Sequence, residues 1–142
     1  MLAVKTYAQE YIDECRARMD AQLATYKKVV SAAGTDKASS TRSAVEAFAP
    51  LFFNNLTLVL DAYFVHRTRA IEGKDGNALN QVRMLCTSIL GNDGVLAADK
   101  TIKYTPEKSV LKLRIGDEIR LDEAQFRALF TAFFSEIERK FT

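Results

Sequence analysis

Apolar residues in the first part of the chain recur at spacings of three and four. Val4, Tyr7, Tyr11, Cys15, Met19, Leu23, Tyr26 and Val30 follow one another with charges between them. That period puts them on one stripe of an amphipathic helix over residues 4–33. At a rise of ~1.5 Å per residue such a helix is ~45 Å long, more than a compact domain of this size requires. Part of the stripe is therefore expected to pack on a second copy of the chain, the plainer alternative being that it flanks the bundle. The near-heptad spacing covers too few turns, with too little e/g charge pairing, to define a coiled coil.

Gly34 suits the end of this helix, and residues 34–42 (GTDKASSTR) read as a polar connection. A second helical region begins near Ser43. Pro50 either ends a short helix at 43–49 or kinks a longer one. From Leu51 to Arg69 apolar residues fall on most sides, which predicts a central helix. The turn EGKDGN (72–77) breaks it, and Asn77 then offers an N-cap for a third helix. The buried face of that helix would hold Leu79, Val82, Leu85, Cys86, Ile89 and Leu90. Residues 91–94 end it.

The period changes near residue 100. KTIKYT (100–105), SVLKLRI (109–115) and EIRL (118–121) alternate apolar and polar positions, with Pro106 and Gly116-Asp117 at turns. A three-residue loop at 116–118 keeps Leu113, Ile115, Ile119 and Leu121 on one face; a two-residue loop would oppose Leu113 to Arg120. A small antiparallel meander is expected. Asp122 then caps the last helix, with Gln125 completing a capping box and Leu121 meeting Phe126 as a hydrophobic staple. Phe126, Leu129, Phe130, Phe133, Phe134, Ile137 and Phe141 draw one aromatic stripe, whose period assigns it to the core. The expected fold is mainly α: a single domain over residues 1–142, a bundle of about four helices with a small β meander before the last.

Composition narrows the function classes. The chain is 48% hydrophobic and 27% charged, with nine Phe and five Tyr, so it has ample surface to bury. Its net charge of +2 and interleaved acids and bases argue against nucleic acid. Cys15 and Cys86 lie far apart without metal-ligand spacing, as buried thiols of a reducing compartment do. The first twenty residues carry charge and lack a signal-peptide core. The most apolar run, 51–65, is short for a bilayer and is interrupted by Asn54, Asn55 and Asp61. A cytoplasmic protein with no membrane partner is expected.

Several catalytic designs lack their residues. One histidine and two isolated cysteines do not make a standard zinc site, and no Glu-x-x-His pair exists for a di-metal bundle. Walker, dinucleotide, EF-hand and nucleophile-elbow patterns are absent, and neither metal nor cofactor is expected. What remains is residues 64–83, FVHRTRAIEGKDGNALNQVR, which gather His66, Arg67, Arg69, Glu72, Lys74, Asp75, Asn77, Asn80 and Arg83 beside a Gly-rich turn. His66 is a candidate acid or base, since its unperturbed pKa is near ~6.5. The preferred alternative is a helix-terminal side chain favoured by the dipole.

Arg67, Arg69 and Arg83 form a candidate clamp for an anionic small molecule. Internal pairing of Arg69 with Glu72 or Asp75 is the preferred alternative. Asn54 and Asn55, inside an apolar helix, need polar partners. A hydrogen-bond network is expected there ahead of a polar pocket that Asp61 would help to line.

The run 64–83, with GVLAADKTIKY and VLKLRIGDEIRL after it, resembles a family of small actinobacterial proteins of unassigned function, from about Phe48 onward. The resemblance implies a cytoplasmic, compact helical protein and carries no catalytic residue. The residues themselves point to a binding or interaction protein that forms a homo-oligomer or joins another protein. Enzymatic or sensory use of the polar cluster around His66 is the alternative.

Overall fold

The computed structural model describes residues 3–35 and 39–142, and among these it is mainly helical. Helix α1 spans Gln9–Thr35, α2 Ser39–Tyr63, α3 Arg69–Glu72, α4 Ala78–Gly91 and α5 Glu123–Phe141. Ile12, Cys15, Met19 and Leu23 of α1, Phe53, Leu56 and Leu60 of α2, and Leu79, Val82 and Leu85 of α4 close on α5. The α5 stripe forms as its spacing predicts, with Phe126, Leu129, Phe133, Phe134, Ile137 and Phe141 buried. Asp122 accepts from the Gln125 backbone at 2.7 Å while the Gln125 side chain accepts from Asp122 N–H at 3.1 Å, completing the capping box. Phe64 sits at the centre of the core, with its ring 5.7 Å from those of both Phe133 and Phe134.

Residues 4–8 are not part of α1. Val4 is extended and runs parallel to Arg67, donating to the His66 carbonyl at 2.7 Å and accepting from Thr68 N–H at 2.9 Å. Tyr7 N–H donates to the Phe141 carbonyl at 2.7 Å, satisfying a group that the end of α5 leaves open. Helical spacing at Val4 and Tyr7 is outweighed by these distant partners. At its other end α1 continues through Gly34 to Thr35, so Gly34 is not a cap. Of the expected polar connection 34–42, residues 34–35 belong to α1 and 39–42 to α2, and residues 36–38 lie outside the described residues.

Helix α2 begins at Ser39, four residues earlier than expected, and runs through Pro50. Packing around that point, where Phe52 stacks on Tyr26 at 5.2 Å and Phe53 meets Tyr26 at 4.7 Å, offsets the ~3 kcal/mol cost of an internal proline. Residues 51–63 of the apolar run therefore belong to a longer helix, and Phe64 and Val65 lie in the turn after it. Ser40–Tyr63 has a window of mean hydropathy 1.3, long and apolar enough by length and composition to cross a bilayer. Only 22% of that window is buried, so α2 is not the enclosed central helix its composition predicts. Leu90, expected on the buried face of α4, is 76% exposed.

No β-strand forms among the described residues, and the expected meander is replaced by turns. Residues 116–119 pair instead with 94–96: Leu96 N–H donates to Asp117 O at 2.9 Å, Gly116 N–H to Leu96 O at 2.8 Å and Ile119 N–H to Gly94 O at 2.7 Å. Segment 109–115 finds side chains rather than a neighbouring strand. Leu111 N–H donates to Gln81 Oε1 at 3.2 Å, Lys112 N–H to Ser109 Oγ at 2.8 Å, and the Tyr104 hydroxyl to Leu113 O. Lys112, at φ +57°, breaks the alternation outright.

Candidate functional site

Helix α2 ends at Tyr63, and residues 64–66 form a turn before the single-turn helix α3. His66 therefore lies in a turn rather than at a helix end, and the dipole argument does not apply to it. Its side chain is exposed and makes no hydrogen bond among the described residues. The same turn directs Arg67 inward, where its side chain is wholly buried.

Glu72 is the hub of the cluster and is itself fully buried. Its Oε1 accepts from Arg67 Nε at 2.7 Å and from Arg83 Nη2 at 2.7 Å. Its Oε2 accepts from Asn80 Nδ2 at 2.7 Å and from Arg83 Nε at 3.0 Å, so Arg83 grips the carboxylate side-on. Burial pushes the Glu72 carboxyl up. The hydrogen bonds from Arg83 and Asn80 and the charges of Arg67 and Arg83 outweigh it, and the group is held below the usual carboxylate range. Bonding to Glu72 likewise raises Arg83. Arg67 also donates to Asp61 at 2.9 Å and to the Phe64 and Leu79 carbonyls at 3.0 and 3.3 Å, with its guanidinium 5.5 Å over the Phe133 ring. Two buried ions are tolerated here because nearly every donor and lone pair is met.

The turn around the hub is equally closed. Asn77 caps α4 through Leu79 N–H at 2.9 Å and Asn80 N–H at 3.1 Å, as its position predicts, and donates to the Glu72 carbonyl at 2.8 Å. Lys140 of α5 donates to the same carbonyl at 2.9 Å. Asp75 accepts from Asn77 Nδ2 at 2.7 Å, a bond that lowers its pKa. Asn80 Oδ1 accepts from Gly76 N–H at 3.0 Å. Gly76 has φ +86°, and a Cβ there would lie 2.6 Å from the Lys103 carbonyl oxygen, so the turn admits only glycine. Lys74 is exposed; its contribution is a backbone carbonyl that accepts from Lys103 N–H at 2.8 Å.

Of the candidate residues, Arg67, Glu72, Asn80 and Arg83 are brought together, with Asp75 beside them in the turn. Arg69 does not pair with Glu72 or Asp75, the pairing its spacing favours. It turns outward to Thr101 Oγ1 at 2.9 Å, and its buried Nε has no hydrogen-bond partner among the described residues. Asp61 and Lys140 are members that sequence reasoning missed. Asp61 lies six residues before Arg67 across a turn and Lys140 on the last helix, so neither spacing marks them.

A shallow hollow of about 380 Å³ lies outside the hub, lined in part by Val65, His66, Arg69 and Arg83. Asp99 faces these arginines. Its pKa is lowered first by hydrogen bonds from Thr101 and further by the charges of Arg69 and Arg83. A larger hollow of about 560 Å³ opens between α1 and α5, where Arg16 pairs with Glu138 and lies 4.8 Å over the Phe134 ring.

Asn54 is the polar link on the other side of α2. It donates to Ile119 O at 2.7 Å and accepts from Leu121 N–H at 3.2 Å, pinning the segment before α5 as a strand partner would. Asp61 does not share that site, and Asn55 is exposed. Cys15 and Cys86 are free and buried, and burial pushes both thiols up. No group of three or more His, Cys, Asp and Glu among the described residues is placed to hold a metal ion. The chain matches no family model, and neither a curated protein nor a solved structure shows significant similarity to it, so nothing there bears on the resemblance of residues 48 onward.

Proposed function

We propose that the protein is a non-catalytic interaction protein that associates with itself. The observation that carries this reading is the set of large apolar side chains left on α2 and α4: Phe48 at 50%, Leu51 at 61% and Leu90 at 76% exposure. Phe48 and Leu51, three residues apart, share one face of α2, and exposed apolar surface of this kind marks interaction surfaces. The polar cluster supports the same reading from the other side, because its carboxylate is buried and spent on Arg67, Arg83 and Asn80. An intracellular setting, in keeping with two buried thiols, belongs to this proposal. Sedimentation velocity over a concentration series tests it. A dimer that dissociates on dilution is the expected result, and a monomer throughout would contradict it.

A second reading rests on the hollow beside His66. The unmatched Arg69 Nε and the exposed imidazole favour a weak site for a small anion there. Opposing it, Asp61, Glu72 and Asp99 stand against Arg67, Arg69 and Arg83 and leave little net charge. Inorganic phosphate that raises the thermal midpoint of the native protein but not of Arg69→Ala would support this site, and no shift would dismiss it.

A further inference from the structure

Residues 3–7 lie on the helical bundle without belonging to it. They are extended, and α1 takes over directly after them, where the Ala8 carbonyl accepts from Ile12 N–H at 3.2 Å. None of the five side chains is fully buried: Ala3, Lys5 and Thr6 are exposed, and Val4 and Tyr7 are half-buried. Three backbone hydrogen bonds attach this strap among the described residues. Val4 N–H donates to His66 O at 2.7 Å, Thr68 N–H to Val4 O at 2.9 Å and Tyr7 N–H to Phe141 O at 2.7 Å. Against them stands one unmet polar group. The Tyr7 hydroxyl is buried and has no hydrogen-bond partner among the described residues. A buried hydroxyl left unpaired offsets the gain from at least one such bond.

Weak attachment matters because of what lies beneath. The Tyr7 ring stands edge-on to Phe64 at 5.0 Å and lies 5.7 Å from Phe141, and both phenylalanines are fully buried. Val4 runs along the backbone of Arg67, and the Tyr7 hydroxyl lies within the field of Arg67 and Asp61. The strap is thus part of the cover that keeps the Arg67 guanidinium wholly out of water. We propose that residues 3–7 are a latch: they release as a unit while α1–α5 stay folded, and release admits water to the cluster of Arg67, Glu72 and Asp61. Only Lys5 and Thr6 separate the two anchor points, so the three bonds are made and broken together. With the latch docked, the ion pairs of Arg67 act in a dry, low-dielectric setting; with it released, water screens them. Latch and cluster therefore hold one another in place, and loosening either loosens the other.

Hydrogen exchange of the unaltered full chain, followed by NMR in rising but sub-denaturing urea, tests both parts. The amides of Val4, Tyr7 and Thr68 should exchange together, about a hundredfold faster than those of Leu85 in α4 and Phe133 in α5. Urea should leave their rate unchanged, because the opening bares little surface. The Nε–H of Arg67, which is bonded to Glu72 at 2.7 Å, should exchange at the rate of the latch. Tyr7→Phe keeps the ring and removes the unmet hydroxyl, and should slow all three latch amides about tenfold. Latch amides that share the rate and urea dependence of Leu85 and Phe133 would overturn the proposal, since only global unfolding would then expose them. Fast latch amides beside an Arg67 Nε–H as slow as Phe133 would overturn its control of the cluster. Exchange in Tyr7→Phe as fast as in wild type would contradict the hydroxyl as the reason the latch is loose.

Discussion

The cluster around Glu72 and the outer face of α2 are opposites. The first concentrates charge in one place and then consumes it: a buried carboxylate takes four hydrogen bonds from Arg67, Asn80 and Arg83, and each donor is fixed by a second contact or by its helix. The second concentrates apolar side chains and leaves them in water. A polar cluster closed on itself has little capacity to act on anything else, whereas an apolar face left in water keeps surface that a partner would bury. Density of titratable residues here marks a cluster whose charges are matched internally.

The contrast can be broken most forcefully at the hub. Arg67→Met leaves Glu72 and Asp61 without their buried cation and should cost about 3–5 kcal/mol, read by urea unfolding. A loss below 1 kcal/mol would mean that the cluster is not structural. Gly76→Ala forces a Cβ toward the Lys103 carbonyl in a left-handed conformation and should cost roughly 1–3 kcal/mol. The two adjacent asparagines give a sharper comparison. Asn54→Ala unpins residues 119–121 and should cost about 1–3 kcal/mol, while Asn55→Ala should stay within about 0.5 kcal/mol for the monomer. Equal losses would erase the distinction between the two faces of α2. The smallest effect is expected at His66→Gln, within about 0.5 kcal/mol, because the exposed imidazole holds nothing.

Acid sharpens the same comparison. Glu72 is held below its ordinary range in the folded protein, whereas an unfolded glutamate takes up its proton near pH ~4.3. Protons therefore favour the unfolded chain. The stability due to Glu72 is complete above that pH and is lost as pH falls through the lower folded value. Asp75 and Asp99 act in the same direction. Glu72→Gln should flatten the acid limb of stability against pH, and an unchanged limb would contradict the assignment of Glu72 as hub.

Much of the helical frame was legible because it is encoded locally. Asp122 with Gln125, and Asn77 ahead of Leu79, announce helix starts by short-range hydrogen bonds, and both form. What was misread depends on partners far along the chain. Val4 and Tyr7 fit a helical stripe as well as an extended strap, and only His66 and Phe141 decide between them. Residues 109–115 alternate like a strand, yet Gln81, Ser109 and Tyr104 take up their backbone groups. The candidate cluster was visible as a composition, but its pairing was not. Helical spacing favoured Arg69 with Glu72, whereas the turn at 64–66 swings Arg67 in and Arg69 out. Leu51 falls in the stretch expected to be enclosed because hydropathy cannot tell which of two apolar faces the rest of the chain will cover.

The most direct measurement is sedimentation velocity of wild type beside Leu51→Glu, with thermal unfolding run on the same samples. The account predicts a wild-type dimer, a monomeric Leu51→Glu protein, and equal midpoints when both are diluted to monomer. A wild-type monomer at every concentration, stabilised by phosphate through Arg69, would contradict it and return the function to the hollow beside His66.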